Sequence, residues 1–240
     1  MQNLKYTCII VVIICIFLYV YWLKLKRGKG GRIPGREVEK KTFKEALVVD
    51  TRWRTQYEKE HAVNAICVPI KVLKEGSKIL DNYKNKDIIL YCVVDITSRN
   101  TEKILKERGF TKLHIGDGVK QYNYGKAKFK NVLMSELKYI LTTGEHVFVN
   151  LGTEQFKKYE IKATLDNVVE KTKHIEVPII TYSNNEEDSL EAAKILSKEG
   201  KNVINLIEPM NAKKYLFTPM NKKDFISKIS EKESGCGSWD

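Results

Sequence analysis

The chain has 240 residues, 42% of them hydrophobic, and a formal net charge of +12. That length holds one large domain or two of ordinary size, and the apolar content supports a packed core and excludes a disordered chain. The five cysteines form neither a disulfide framework nor CxxC or Cys/His zinc spacing; no metal or other cofactor is expected, and the pattern suits a reducing compartment.

Residues 1–5 are a short N-terminal segment. Residues 6–23, YTCIIVVIICIFLYVYWL, carry no charge. At about 1.5 Å per residue this run nearly crosses a hydrocarbon core of roughly 30 Å, which predicts a transmembrane helix. Tyr6 at one end, and Tyr19, Tyr21 and Trp22 at the other, suit the two membrane interfaces. A cleaved signal peptide is the other reading, but Lys24-Leu25-Lys26-Arg27 follows the run in place of a small-residue cleavage site. Lys24, Lys26, Arg27, Lys29, Arg32 and Arg36 all precede the first acid, Glu37. The positive-inside rule therefore predicts a single-pass membrane protein with its soluble part on the cytoplasmic side. Residues 24–37 are basic and Gly-rich, a flexible tether suited to anionic lipid. Nucleic acid is not expected as a partner, because no aromatic residue is interleaved for base stacking.

Residues 38–130 read as a first soluble unit. Apolar runs at Leu47-Val48-Val49-Asp50, Ala65-Ile66-Cys67-Val68, Ile88-Ile89-Leu90-Tyr91 and Leu113-His114-Ile115 alternate with helical patterns. That alternation predicts an α/β fold, a small parallel sheet flanked by helices, with sites beyond the carboxyl ends of the strands. Cys92 stands at such an end. Thr101 to Arg108 reads as the next helix, stopped by Gly109, with a six-residue loop of Val93, Val94, Asp95, Ile96, Thr97 and Ser98 leading towards it. A thiol between a strand and a helix N-terminus is placed to act as a nucleophile; a buried structural cysteine is the alternative. Asp50 and Arg52 read either as support for that site or as an ion pair fixing a strand end. His61 reads as a structural histidine, and Cys67, mid-strand, as core.

Residues 48–69, VVDTRWRTQYEKEHAVNAICVP, resemble the opening of rhodanese domains through Asp50, Arg52, Tyr57, His61, Ala65 and Pro69. Residues 88–110 fall where that family has its strand, catalytic cysteine, active-site loop and following helix, and LHIGDGVKQY at 113–122 resembles its closing strand and turn. The resemblance implies a rhodanese-like domain and a sulfurtransferase in which Cys92 takes sulfur from a donor, holds it as a persulfide, and passes it to an acceptor, either of them a small molecule or a protein. The loop departs from the family pattern. Asp95 stands where the family has glycine, and Thr97 where it has a cation, with Arg99 beyond it. An acid beside the sulfur disfavours an anionic donor, so weak or absent thiosulfate activity is expected. The longer phosphatase loop of related proteins needs an arginine at position 98, which here is serine.

Residues 131–230 repeat the pattern. Val147-Phe148-Val149-Asn150 echoes Leu47–Asp50, Gln155-Phe156 echoes Gln56-Tyr57, and the run ending at Ser183 echoes the one ending at Cys92. Leu190 to Glu199 reads as a helix capped by Asp188. The resemblance implies tandem rhodanese-like domains, each a three-layer unit, the second degenerate: Ser183 replaces the cysteine, and Asn150 and Gly152 replace Asp50 and Arg52. This half reads as structural or as a binding site for a protein partner. Residues 231–240 read as a mobile tail carrying Cys236, either a thiol that reaches Cys92 or a frayed terminus. Two functions remain open, a membrane-anchored sulfurtransferase and a catalytically inactive tethered scaffold.

Overall fold

Strands buried on both faces of a parallel sheet are written as unbroken apolar runs. The described run Leu47–Asp50 becomes strand β1, and Ile88–Tyr91, Ile179–Tyr182 and Val203–Leu206 become β3, β8 and β9, every residue of each buried. The computed structural model describes residues 14–15, 17–18, 31–153 and 160–210. The remaining strands are β2 (Ala65–Cys67), β4 (Leu113–Ile115), β5 (Lys130–Val132), β6 (Val147–Asn150) and β7 (Ile161–Lys162). The helices are α1 (Gly35–Lys40), α2 (Arg54–Lys59), α3 (Ile70–Lys74), α4 (Ile96–Glu107), α5 (Met134–Ile140), α6 (Val168–Thr172) and α7 (Glu186–Lys198). Helix α4 packs on β3 and β4, and α7 on β8 and β9.

The nine strands among the described residues belong to one parallel sheet in the order β4-β3-β1-β2-β5-β9-β8-β6-β7. From Pro34 onward the described residues form one compact unit. The division expected between residues 130 and 131 falls inside β5, which pairs with β2 on one side and β9 on the other. On either side of β5 the same local order recurs, β4-β3-β1-β2 and β9-β8-β6-β7. Hydrogen bonds recur with it. Thr51 N donates to the Tyr91 carbonyl at 3.0 Å and Leu151 N to the Tyr182 carbonyl at 3.0 Å; Val68 N donates to Asp50 O at 2.9 Å and Ala163 N to Asn150 O at 3.0 Å. Gly109 (φ 86°) and Gly200 (φ 79°) end α4 and α7 in the left-handed conformation that glycine alone adopts without strain.

A buried amide relay joins the two parts of the sheet. Thr181 Oγ1 donates to Asn205 Oδ1 (3.2 Å), Asn205 Nδ2 to Asn131 Oδ1 (2.8 Å), and Asn131 Nδ2 to the carbonyls of Val63 (2.8 Å) and Ala65 (2.9 Å). The Tyr57 hydroxyl completes it, donating to Ala65 O (2.8 Å) and accepting from Asn131 N (3.1 Å). Polar groups this deeply buried stay put only while each is paired. The short strand β5, with little apolar pattern of its own, is held in register by this relay as much as by its ladder.

Several expectations are corrected or fall elsewhere. The predicted span at 6–23 lies outside the described residues apart from Ile14, Cys15, Phe17 and Leu18, which are helical and exposed. Among the described residues no helix is long and apolar enough to cross a membrane. The tether expected to run to residue 37 gives way to α1 at Gly35. Pro34, with φ −56°, precedes that helix, Glu37 lies in its first turn and Lys40 in its last, as the helix dipole favours. A Cβ at Gly35 would lie 2.1 Å from Cγ of Tyr122, so only glycine fits there. Asn185, not Asp188, caps α7, its side chain accepting from Glu187 N. Gln155, Phe156 and the tail with Cys236 lie outside the described residues.

Replacing Asn131 by leucine removes the side-chain donor to the Val63 carbonyl and the acceptor of the buried Asn205 amide, while Ala65 O keeps the Tyr57 hydroxyl. The expected loss, read from urea unfolding of the full chain, is about 2–4 kcal/mol.

Candidate functional site

The site is set by where β1 and β3 stop. They pair in register from Leu47↔Ile88 to Asp50↔Tyr91. One residue later, the Tyr91 carbonyl accepts from both N and Oγ1 of Thr51, each at 3.0 Å. The next residue is Cys92, buried with 2% of its surface exposed. Its carbonyl accepts from Val119 N and that of Val93 from Lys120 N, both at 3.0 Å. The turn after β4 thus presses on the cysteine's connecting segment. It does so through Gly118, where a Cβ would lie 2.5 Å from Val93 O and 2.6 Å from Val94 O.

The expected six-residue loop is shorter. Val93, Val94 and Asp95 form the bend, and α4 starts at Ile96, so Ile96, Thr97 and Ser98 are its first turn. The reason is local: Asp95 O accepts from Arg99 N at 2.9 Å and from Ser98 Oγ at 3.0 Å, closing the turn early. The helix start is thereby brought to the sulfur. Cys92 Sγ lies 3.6 Å from the buried Ser98 Oγ, a residue in the first turn of a twelve-residue helix whose dipole favours negative charge at that end.

The cations that sequence placed near the site are engaged. Arg99 Nε donates to Asp95 Oδ2 at 3.2 Å. Arg52 lies against Asp50, with Nη2 2.7 Å from Oδ2 and Nε 3.0 Å from both carboxylate oxygens, and it also caps the Glu60 carbonyl at 2.6 Å. Burial alone would lower the Arg52 pKa; the Asp50 carboxylate outweighs it and holds the pKa above its ordinary value. This pair is enclosed in the sheet edge, with Asp50 fully buried, so it serves as a strut and is not offered to a ligand. No group of three or more His, Cys, Asp or Glu among the described residues is placed to hold a metal ion.

Sequence assigned no role to Tyr91 or Tyr124. The Tyr91 ring packs at a tilt of 35° on Tyr124 (centroids 4.9 Å), its hydroxyl accepts from Ala62 N (3.1 Å), and the Arg52 guanidinium lies 5.9 Å from the ring centroid. The spacing of Tyr122 and Tyr124 after the Gly-Asp-Gly turn was the available signal. Cys67 is separated from Cys92 by β1, and burial pushes its thiol well above the usual range. In the second half, Ser183 occupies the corresponding place: its carbonyl accepts from Met210 N (2.8 Å) as that of Cys92 does from Val119 N. Its hydroxyl is turned to Asn185 N at 3.0 Å, and Asn150 Oδ1 accepts from Gly152 N (2.8 Å) as Asp50 Oδ1 does from Arg52 N (3.0 Å).

Comparison with known proteins adds relatives to this geometry. A family described as "Rhodanese-like domain" matches residues 36–124, from α1 through the Tyr122–Tyr124 segment. The thiosulfate sulfurtransferase PspE of Escherichia coli K12 is 32% identical over 80 residues, 33% of this chain and 77% of that protein. The tRNA sulfurtransferase of Thermoplasma acidophilum is 34% identical over 68 residues, 28% of this chain. A tRNA uridine(34) hydroxylase of E. coli O1:K1 is 31% identical over 83 residues, 32% of this chain. The chain spans only 13% and 24% of the lengths of these last two. Among solved structures, a rhodanese with anions from E. coli is 30% identical over 35% of this chain and 98% of its own, with a TM-score of 0.31. A thiosulfate sulfurtransferase from Pseudomonas aeruginosa is 12% identical, covering 73% of this chain and 40% of its own, with a TM-score of 0.35.

His61 yields a prediction. Its ring stacks on Tyr57 (3.6 Å between centroids), Nδ1 lies 2.7 Å from Tyr57 O, and burial lowers its pKa from 6.5 to about 4. Between those values the unfolded chain binds the proton and the folded one does not, so stability falls as pH drops through this window. Wild type minus His61→Gln, measured by denaturant unfolding at each pH, isolates the effect. The difference should shrink by about 3 kcal/mol from neutral pH to pH about 4.

Proposed function

The chain belongs to the rhodanese-like domain family, and from that premise we propose that it is a sulfurtransferase whose nucleophile is Cys92. One observation carries this reading: the sulfur sits over the first turn of α4, 3.6 Å from Ser98 Oγ, at the carboxyl edge of a parallel sheet. The Cys92 thiolate attacks the outer sulfur of a sulfane donor. A new S–S bond forms, and the donor's remainder, sulfite in the case of thiosulfate, leaves with the electron pair of the broken bond. A nucleophilic acceptor then attacks the terminal sulfur of the persulfide, and the thiolate departs with its pair restored. Ser98 donates its hydroxyl proton to the Asp95 carbonyl at rest; rotated towards Cys92, the same proton stabilises the departing thiolate. The start of α4 contributes standing positive potential to both steps.

The donor follows from the charges. A thiosulfate dianion meets Asp95 at the bend, and the nearby Arg99 is already paired with that acid. Thiosulfate is therefore a poor donor, and an organic or protein persulfide a better one. Residues 6–23 are a single-pass anchor holding the folded unit on the cytoplasmic side; the support is the uncharged run and the basic residues after it. Residues 131–230 are a degenerate second copy, a reading supported by the recurring strand order and by the Ser183 and Asn150 hydrogen bonds. A second reading, a tethered scaffold without turnover, is favoured by the 2% exposure of Cys92.

Intact mass of the full chain separates the two. Incubation with thiosulfate, mercaptopyruvate or a persulfide donor should add one sulfur, and Cys92→Ser should abolish the gain; no adduct with any donor supports the scaffold. Asp95→Gly removes the acid and releases Arg99. It should raise the rate of loading from thiosulfate by about tenfold, the equivalent of about 1.4 kcal/mol in the barrier.

A further inference from the structure

Helix α1 is distant from Cys92 in sequence, yet it is fastened to the turn that holds the cysteine's connecting segment. Gly35 N donates to Asp117 Oδ2 at 3.1 Å. The half-buried Glu39 takes two donors from the same turn: the Tyr122 hydroxyl reaches Oε2 at 2.7 Å, and Gly125 N reaches Oε1. Val38, fully buried, lies against Gly116, where a Cβ would stand 2.9 Å from Val38 Cγ2. The helix is tied on its other side to the segment entering β2. There Asn64 Nδ2 donates to the carbonyls of Val38 (2.8 Å) and Lys41 (2.7 Å).

The turn carries this hold to the nucleophile. Gln121 N and Tyr122 N both donate to Gly118 O, at 2.9 and 3.0 Å, which closes the turn. The two N–H groups inside it, those of Val119 and Lys120, are the ones that bond the Cys92 and Val93 carbonyls. Asp117 O accepts from the Tyr124 hydroxyl at 2.5 Å, and the Tyr122 ring meets the Tyr124 ring edge-on at 4.9 Å. From the Glu39 carboxylate to the Cys92 carbonyl the path thus crosses one side chain, Tyr122, and one closed turn. Each link in it is a directional hydrogen bond.

Resting on the sulfur-transfer reading above, we infer that Glu39 is a positioning residue for sulfur transfer at Cys92. It acts through Tyr122 and Gly125. Its carboxylate fixes the turn, the turn fixes the Cys92 and Val93 carbonyls, and the sulfur is kept 3.6 Å from Ser98 Oγ at the start of α4. Attack on a donor sulfur and departure from the persulfide both depend on that alignment, and a misplacement of about 1 Å costs as much as a hundredfold in rate. The two bonds matter here, not the charge. Glutamine at this position makes both, its carbonyl accepting from Gly125 N and its amide donating to the Tyr122 oxygen; alanine makes neither.

The test compares the full chain with Glu39→Ala, Glu39→Gln and Tyr122→Phe, the last keeping the ring and losing only the hydroxyl. Each is loaded in a single turnover by excess glutathione persulfide, and the Cys92 adduct is followed by peptide-resolved mass. The rate constant should fall about tenfold in Glu39→Ala, fall less in Tyr122→Phe, and stay within about twofold of wild type in Glu39→Gln. Adding Tyr122→Phe to Glu39→Ala should slow loading no further, because the two changes remove the same bond. A residue that only stabilises the fold alters the amount of adduct, through the folded fraction, and leaves the rate constant unchanged. Hydrogen exchange reads the hold apart from chemistry: the Val119 and Lys120 amides should exchange about tenfold faster in Glu39→Ala, with those of β1 and β3 unaltered. An unchanged rate constant in Glu39→Ala, an equal loss in Glu39→Gln, or unchanged exchange at Val119 and Lys120 overturns the inference. Wild type that takes up no sulfur fails the transfer reading, and the positioning role falls with it; faster exchange in Glu39→Ala then retains only the clamp.

Discussion

The Tyr91 carbonyl, held at 3.0 Å by both the amide and the hydroxyl of Thr51, is the constraint from which the rest of the site follows. It fastens the exit of β3 to the exit of β1. Cys92 is the next residue along one chain segment, and Arg52 and Trp53 are the next along the other. Asp50 then captures Arg52 within the edge, which leaves that cation as a strut. Tyr91 itself is closed off by Tyr124 and by Ala62 N. The chemistry is thus placed by backbone geometry on a rigid sheet.

The second half keeps the backbone and drops the chemistry. Leu151 N still bonds the Tyr182 carbonyl, and Met210 N still bonds that of Ser183. Where β1 exits with a carboxylate and a guanidinium, β6 exits with an amide and a glycine, and Asn150 Nδ2 reaches Glu160 Oε1 at 2.8 Å. The start of α7 carries Glu186, Glu187 and Asp188, charges that suit a helix N-terminus and repel an anionic substrate. Stability and reactivity are separable here: the hydrogen bonds that build the edge are retained where the nucleophile is gone. The relay through Asn131 and Asn205 joins the two parts into a single sheet.

Much of this was legible in the chain itself. The apolar runs at Leu47–Asp50 and Ile88–Tyr91 mark their strands because burial on both faces leaves no room for a polar residue that lacks a partner, and Leu113–Ile115, with His114 exposed, shows the alternation of a strand at the end of the sheet. The position of Cys92 follows directly. The start of α4 was not legible, because Asp95-Ile96-Thr97-Ser98 has poor helix propensity and the helix begins there through hydrogen bonds to the Asp95 carbonyl. Strand β5 was missed for a related reason. Lys130-Asn131-Val132 alternates too briefly to read as a strand, and its polar centre is satisfied only by residues distant in sequence, Val63, Ala65 and Asn205. The continuity of the sheet was hidden with it. Arg52 and Arg99 were legible as cations near the site, but their neutralisation by Asp50 and Asp95 is a matter of geometry.

The central claim is that the sulfur of Cys92 accepts and gives up a second sulfur atom. The most direct measurement is a single turnover: the full chain, loaded with a persulfide donor and freed of excess reagent, is mixed with cyanide. Thiocyanate should appear in an amount equal to the loaded protein while the protein mass returns to its starting value. Loaded protein that releases no thiocyanate, or release that persists in Cys92→Ser, would contradict the account.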